Sequence, residues 1–282
     1  MEETITSPKQ KRIGAVSFLN TKPLVHSLIQ SPIPDIKLSL GYPSLLSDQL
    51  EKEELDLALI PIIEYVRQPS YRIVPDICIA SKGRVQSILL FSQKPLSQCN
   101  TVGLDSSSRT SQALVKILLA EYWKIHPEFV DCSPNTQPSN HETDAVLLIG
   151  DQALRYRKDT RYVFDLGEIW QQLTGLPFVY ACWVGRSNTK LGDIGRILNQ
   201  AKDEGLSQID IIASEEAEKL GFSFELCHRY LTKHIFFSLG SEEIDGLEYF
   251  YQLAQKYDLV PTGRSRVIRG SFGTRSAFVL CR

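Results

Sequence analysis

The sequence predicts an α/β protein of two lobes with a cleft between them. Three observations carry this expectation. Strand-like and helix-like segments alternate through the first third of the chain, the rhythm of βαβ units with parallel strands. A second strand–helix–strand series begins after Pro95 and ends in the strand "FVYACWVG". Beyond about residue 190 the chain turns mostly helical, with apolar residues at i, i+3, i+4 spacing.

The first series runs in order. "RIGAVSF" reads as a strand and "KPLVHSLIQ" as a helix with Leu24, Val25 and Leu28 at helical spacing. "IKLSLGY" alternates as a strand does, and "PSLLSDQLEKEEL" is a helix with Pro43 near its start. "DLALIPII" is a buried strand. "YRIVPDICIAS" and "VQSILLFS" follow with no helix between them, which predicts an antiparallel pair. In the second series "TVGLD" precedes a helix with Leu114, Ile117, Leu118 and Tyr122 on one face, and "DAVLLIG" and "VFDLG" are further strands. The last helix, "SEEIDGLEYFYQLAQKY", has Ser241 as its expected N-cap and buries Ile244, Leu247, Tyr251 and Ala254. The middle series begins and ends in strands, so two crossings near 86–92 and 179–184 join the lobes. This gives a discontinuous first lobe (12–91 and 186–282), a second lobe (92–185) and a polar extension (1–11).

Bulk properties narrow the function. A net charge of −2 over 282 residues, without a basic patch, speaks against a nucleic-acid partner. The apolar runs are strand-sized, far short of the ~18–20 residues of a membrane span. The N-terminal "MEETITSPKQKR" has no apolar signal-peptide core. Six cysteines occur without a CxxC pair; Cys78, Cys182 and Cys281 sit in apolar segments as small core residues. A reducing, cytoplasmic setting follows as the expectation. The five histidines show no metal-ligand spacing, and no glycine-rich phosphate loop is present. No cofactor is expected.

Two stretches carry candidate chemistry. In "FLNTKPL", Asn20 and Thr21 stand where the first strand ends. Asn20 either caps the next helix or offers a donor and an acceptor to the cleft; both hold only if Thr21 is the cap. In "LDSSSRTSQ", Ser107, Ser108, Arg109, Thr110 and Ser111 open a long helix, more hydroxyls than capping needs. A helix start offers free N–H groups and partial positive charge, so a carboxylate is the expected guest. Ser87 begins a strand after the Gly83 turn. Gly150-Asp151 ends a buried strand, with Asp151 either an N-cap or a cleft carboxylate.

These pieces together resemble a known family. "GAVSFLNTKPL", "DLALIPIIEY", "GRVQSILLFS", "LDSSSRTSQALVKILL", "LLIGDQAL" and "DLGEIWQQLTGLPFVYACW" are similar to the chorismate dehydratases of the futalosine route to menaquinone, from about residue 12 to the C-terminal helix. The resemblance implies the two-lobed, type 2 periplasmic-binding-protein-like fold and a lyase that converts chorismate to 3-[(1-carboxyvinyl)oxy]benzoate. It implies Asn20 and Ser87 as catalytic residues and Ser108, Thr110 and Ser111 as carboxylate ligands. Arg109 either joins them or pairs structurally. The base is Asp151 or the substrate's own enolpyruvyl carboxylate; the lack of a free His or Glu in any motif favours the latter. Two other readings compete: a non-catalytic binder of small carboxylates, and the 1,4-dihydroxy-6-naphthoate synthase of the same route.

Overall fold

The computed structural model describes residues 10–133, 137–157, 160–190, 192–261 and 279–280. The first lobe opens with β1 (Lys11–Val16), α1 (Lys22–Gln30), β2 (Ile36–Gly41), α2 (Pro43–Glu51), β3 (Leu57–Pro61), α3 (Ile63–Arg67) and β4 (Tyr71–Ser81). The second lobe contains β5 (Ile88–Ser92), β6 (Thr101–Asp105), α4 (Arg109–Glu121), β7 (Glu128–Cys132), β8 (Ala145–Ile149), α5 (Gly150–Tyr156), β9 (Tyr162–Asp165) and α6 (Leu166–Thr174). The chain then returns through β10 (Phe178–Arg186) to α7 (Ile194–Ser207), α8 (Ile209–Leu220), α9 (Phe224–Arg229), a π-helical turn (Tyr230–His234), α10 (Ser241–Lys256) and β11 (Val279–Leu280).

Each lobe is built on one sheet. The first has strand order β11-β4-β10-β3-β1-β2 and the second β7-β6-β8-β5-β9. In both, three parallel strands meet antiparallel ones: β10 runs against β3 and β4, and β5 against β8 and β9. The central strands β3 and β8 are buried along their whole length, whereas edge strand β2 alternates with solvent. That is the pattern of sheets covered on both faces by helices. Helix α7 packs so closely on α1 that a Cβ on Gly205 would meet the Pro23 carbonyl oxygen at 1.9 Å.

Three expectations are corrected here. β4 and β5 do not pair; they lie in different sheets, because residues 82–87 cross between lobes rather than turn a hairpin. Ile88–Ser92 lies in the second sheet and Phe178–Arg186 in the first. Gly240, not Ser241, is the N-cap of α10, and its N–H donates to Glu243. Of the residues expected inward on α4, Leu114, Ile117 and Leu118 are buried while Tyr122 is exposed. The apolar face of α10 is buried as the spacing predicts. Cys78 and Cys182 are core residues, whereas Cys281 and residues 1–9 lie outside the described residues.

One carboxylate ties the outgoing crossing to the second lobe. Asp165 N-caps α6 by accepting from the N–H groups of Gly167 (3.0 Å) and Glu168 (3.1 Å). It also accepts from Val85 (3.0 Å) and Gln86 (2.8 Å) on the outgoing crossing.

Candidate active site

The parallel strands of both sheets point their C-terminal ends at the seam between the lobes, the usual place for a ligand in open α/β sheets. A small recess lies there. From the first lobe it takes Val16, Phe18 and Asn20 after β1, Pro43 of α2, Pro61 of β3, Ile79 of β4, and Tyr180 and Ala181 of β10. From the second it takes Ser87, Ile88, Ser108, Ser111, Ile149 and Gly150. Asn20 and the serine-rich turn therefore share one cavity.

Local folding decides which side chains face it. After β1 the chain tightens into a 3-10 turn, Leu19–Thr21, whose Leu19 and Thr21 are buried. That leaves Asn20 turned to the recess. Thr21 is the N-cap position of α1 but makes no side-chain cap bond; its hydroxyl donates to Asn20 Oδ1 at 3.4 Å. Neither residue therefore caps α1 with its side chain, and Pro23 supports the first turn instead.

The turn before α4 divides its polar residues by helical phase. Ser108 is the N-cap and accepts from the Ser111 N–H at 3.4 Å, and these two, three residues apart, line the recess. Arg109 and Thr110 face the first lobe. Arg109 pairs with Asp48 at 2.6 Å and Glu64 at 3.6 Å, and Thr110 Oγ1 accepts from the Ile63 N–H at 3.2 Å. The carbonyl of Ser107 accepts from the Ser44 N–H, and its hydroxyl donates to Asp105 at 2.5 Å. Half of the turn thus fastens one lobe to the other. Among the described residues, no Lys, Arg, His, Asp or Glu lines this recess.

Gly150 makes the closure possible. Its φ is +61°, and a Cβ there would meet the Phe18 ring at 2.9 Å. Its N–H donates to the Ser87 carbonyl at 2.7 Å, which ties α5 to the start of β5. Phe18 and Ile149 also separate the recess from a second one that holds Asp105, Ser107, Asp151 and Arg155. Asp151 is in this outer recess. Its Oδ1 accepts from the Leu19 N–H at 3.1 Å across the seam, and burial pushes its pKa up to about 6.

Two aromatic residues at the site carry no sequence signal. The Tyr180 hydroxyl is held 2.8 Å from Ser81 Oγ. Tyr230, from the π-helical turn, donates to Ser87 Oγ at 2.7 Å and is 1% exposed. Burial raises its pKa far above the usual phenol value, so it stays protonated and remains a donor.

The architecture defines a class: two-lobed α/β proteins of the periplasmic-binding-protein-like fold. Among solved structures, the chain is similar to a protein from Archaeoglobus fulgidus (TM-score 0.74, 15% identity, 89% of this chain and 98% of that one). It is also similar to the alkanesulfonate-binding protein of Xanthomonas axonopodis bound to MOPS (TM-score 0.65, 14% identity, 91% and 96%). At such identities the likeness is one of periplasmic-binding-protein-like fold.

Sequence relationships are more particular. Residues 11–256 match the family model described as menaquinone biosynthesis. A chorismate dehydratase of Thermus thermophilus is 31% identical over 238 residues, covering 78% of this chain and 86% of that protein. One from Campylobacter jejuni is 31% identical over 174 residues, covering 60% and 64%. The chain belongs to this menaquinone-biosynthesis family.

Proposed function

We propose that the protein is a chorismate dehydratase that removes water from chorismate to give 3-[(1-carboxyvinyl)oxy]benzoate. The observation that carries this reading is the joining of Asn20, Ser87, Ser108 and Ser111 around one cavity that is otherwise apolar. A cyclohexadiene ring fits walls such as Val16, Pro61, Ile79, Ile88 and Ile149. A carboxylate suits the start of α4, where unpaired N–H groups, the helix dipole and two hydroxyls converge.

The chemistry needs little beyond placement. The proton on C3 and the hydroxyl on C4 leave as water, and the ring becomes aromatic. That driving force lets positioning and proton transfer supply most of the catalysis. Asn20 hydrogen-bonds the leaving hydroxyl or the enolpyruvyl group, and Ser87 holds the carboxylate or the ether oxygen. The base is the substrate's own enolpyruvyl carboxylate, which the ether linkage places near C3. The lining supports this, since it offers no protein base, and Asp151 sits beyond Phe18 in the outer recess. Arg109 acts by fastening the lobes, as its pairs with Asp48 and Glu64 support. The two lobes are residues 12–91 with 186–282 and residues 92–185, adjusted so that each strand joins its own sheet. A cytoplasmic setting is supported by five free thiols among the described residues.

The test is to mix purified protein with chorismate, follow the diene absorbance, and identify the product by NMR. Loss of the diene with appearance of the enolpyruvyl benzoate is expected. Chorismate left unchanged by stoichiometric protein would overturn the reading.

A further inference from the structure

The hydrogen bonds behind the cavity have a direction, and Tyr230 sets it. Its ring is buried in the interior, and its only polar atom meets Ser87 Oγ at 2.7 Å, 143 positions away in sequence. Asn20 is a near polar neighbour of the same hydroxyl. A phenol carries one hydrogen and two lone pairs. Once its hydrogen goes to Ser87 Oγ, only its lone pairs remain, for accepting. Asn20 Oδ1 accepts from the Thr21 hydroxyl. Ser87 Oγ, already an acceptor, has its own hydrogen left. Ser87 and Asn20 both line the recess.

We infer that Tyr230 is a positioning residue for the dehydration: its hydroxyl holds Ser87 Oγ and turns the Ser87 O–H towards the cavity as a donor. This rests on the dehydratase reading. The guest that such a donor takes is an oxygen acceptor, such as a carboxylate, an ether or a leaving hydroxyl. Accepting from Tyr230 also polarises the Ser87 O–H and strengthens it as a donor. The π-helical geometry of Tyr230–His234 is of the kind found often at functional sites. Here it delivers a side chain from the C-terminal helices to the joint between lobes.

The test uses Tyr230→Phe, Ser87→Ala and the double variant in the full chain, with kcat and KM for chorismate and the melting temperature for each. Tyr230→Phe removes one oxygen and keeps the ring. The expected result is a kcat lower by about tenfold or more, with KM changed less than about threefold and the melting temperature shifted by only a few degrees. In the Ser87→Ala background the same change is expected to lower kcat by less than about twofold, because the residue it acts through is gone. Full activity of Tyr230→Phe would overturn the proposal while leaving the dehydratase reading intact. So would equal losses in the two backgrounds, or a Tyr230→Phe chain that does not fold. Absence of turnover by the unaltered protein would remove both.

Discussion

Asp151→Asn separates two roles for one carboxylate. Asp151 accepts from the Leu19 N–H across the seam, and burial raises its pKa from 3.8 to about 6. At ~1.4 kcal/mol per tenfold change in proton affinity, that climb corresponds to about 3 kcal/mol. The sign follows from which state holds the proton. Between pH ~4 and ~6 the folded chain keeps a proton that the unfolded chain has lost, so stability falls as pH rises through that window. Above pH ~6 the folded protein carries the full cost of a buried charge. Asparagine keeps an oxygen for Leu19 and drops the charge, and its NH₂ can meet water in the outer recess. Asp151→Asn is therefore expected to be more stable at pH 7.5, by up to about 3 kcal/mol, which is a rise of roughly 6 °C or less for a chain of this size. Melting curves of both proteins from pH 4 to 8 make the assay, with the variant losing the downward slope between pH 4 and 6. Turnover of chorismate is expected to stay within a few-fold. A lower melting temperature at pH 7.5, with an unchanged slope, would refute the reasoning about burial. Abolished turnover with intact fold and substrate affinity would make Asp151 the base and end the substrate-assisted scheme.

Other substitutions test other parts of the site. Asn20→Ala is expected to lower kcat by about 10²–10³ and to leave the melting temperature nearly unchanged, because Asn20 caps nothing; unfolding would contradict this. Gly150→Ala places a methyl against the Phe18 ring and an L-residue at φ +61°. It is expected to cost at least about 1–2 kcal/mol by denaturant melts and to raise KM, since Phe18 must move towards the cavity. Arg109→Met is expected to raise KM less than about tenfold at similar kcat, as a half-exposed cross-lobe pair warrants. A hundredfold rise would mark Arg109 as a direct ligand of the substrate carboxylate.

The sequence makes the lobes legible wherever hydrophobic period and strand length agree, as in β1, β3, β8 and α10. It also marks the polar residues that follow parallel strands, because a strand's end and a helix's start fall at the cleft by topology. Asn20, Ser108, Ser111 and Gly150 were found that way. What stays hidden depends on how the lobes dock. Nothing local says that Ser108 and Ser111 line the recess while Arg109 and Thr110 clasp the other lobe. The turn's helical phase supplies that answer only once the partner surface is known. Tyr230 is more remote still, since an ordinary-looking "RYLTKH" reaches Ser87 through tertiary packing. The failed hairpin between β4 and β5 has the same origin: two adjacent strands with a short link look paired, unless the link is a passage between bodies.

The place of β10 has a consequence for how the protein is made. It lies between β3 and β4 and hydrogen-bonds to both. A chain emerging from the ribosome shows these two strands, almost wholly apolar, long before their neighbour is synthesised. The five strands from Ile88 to Asp165 are complete by then, whereas the earlier sheet keeps two naked edges until residue 186 is clear of the exit tunnel. Such edges invite pairing with other chains. Birth order and assembly order therefore run opposite ways: the half begun first is the half finished last.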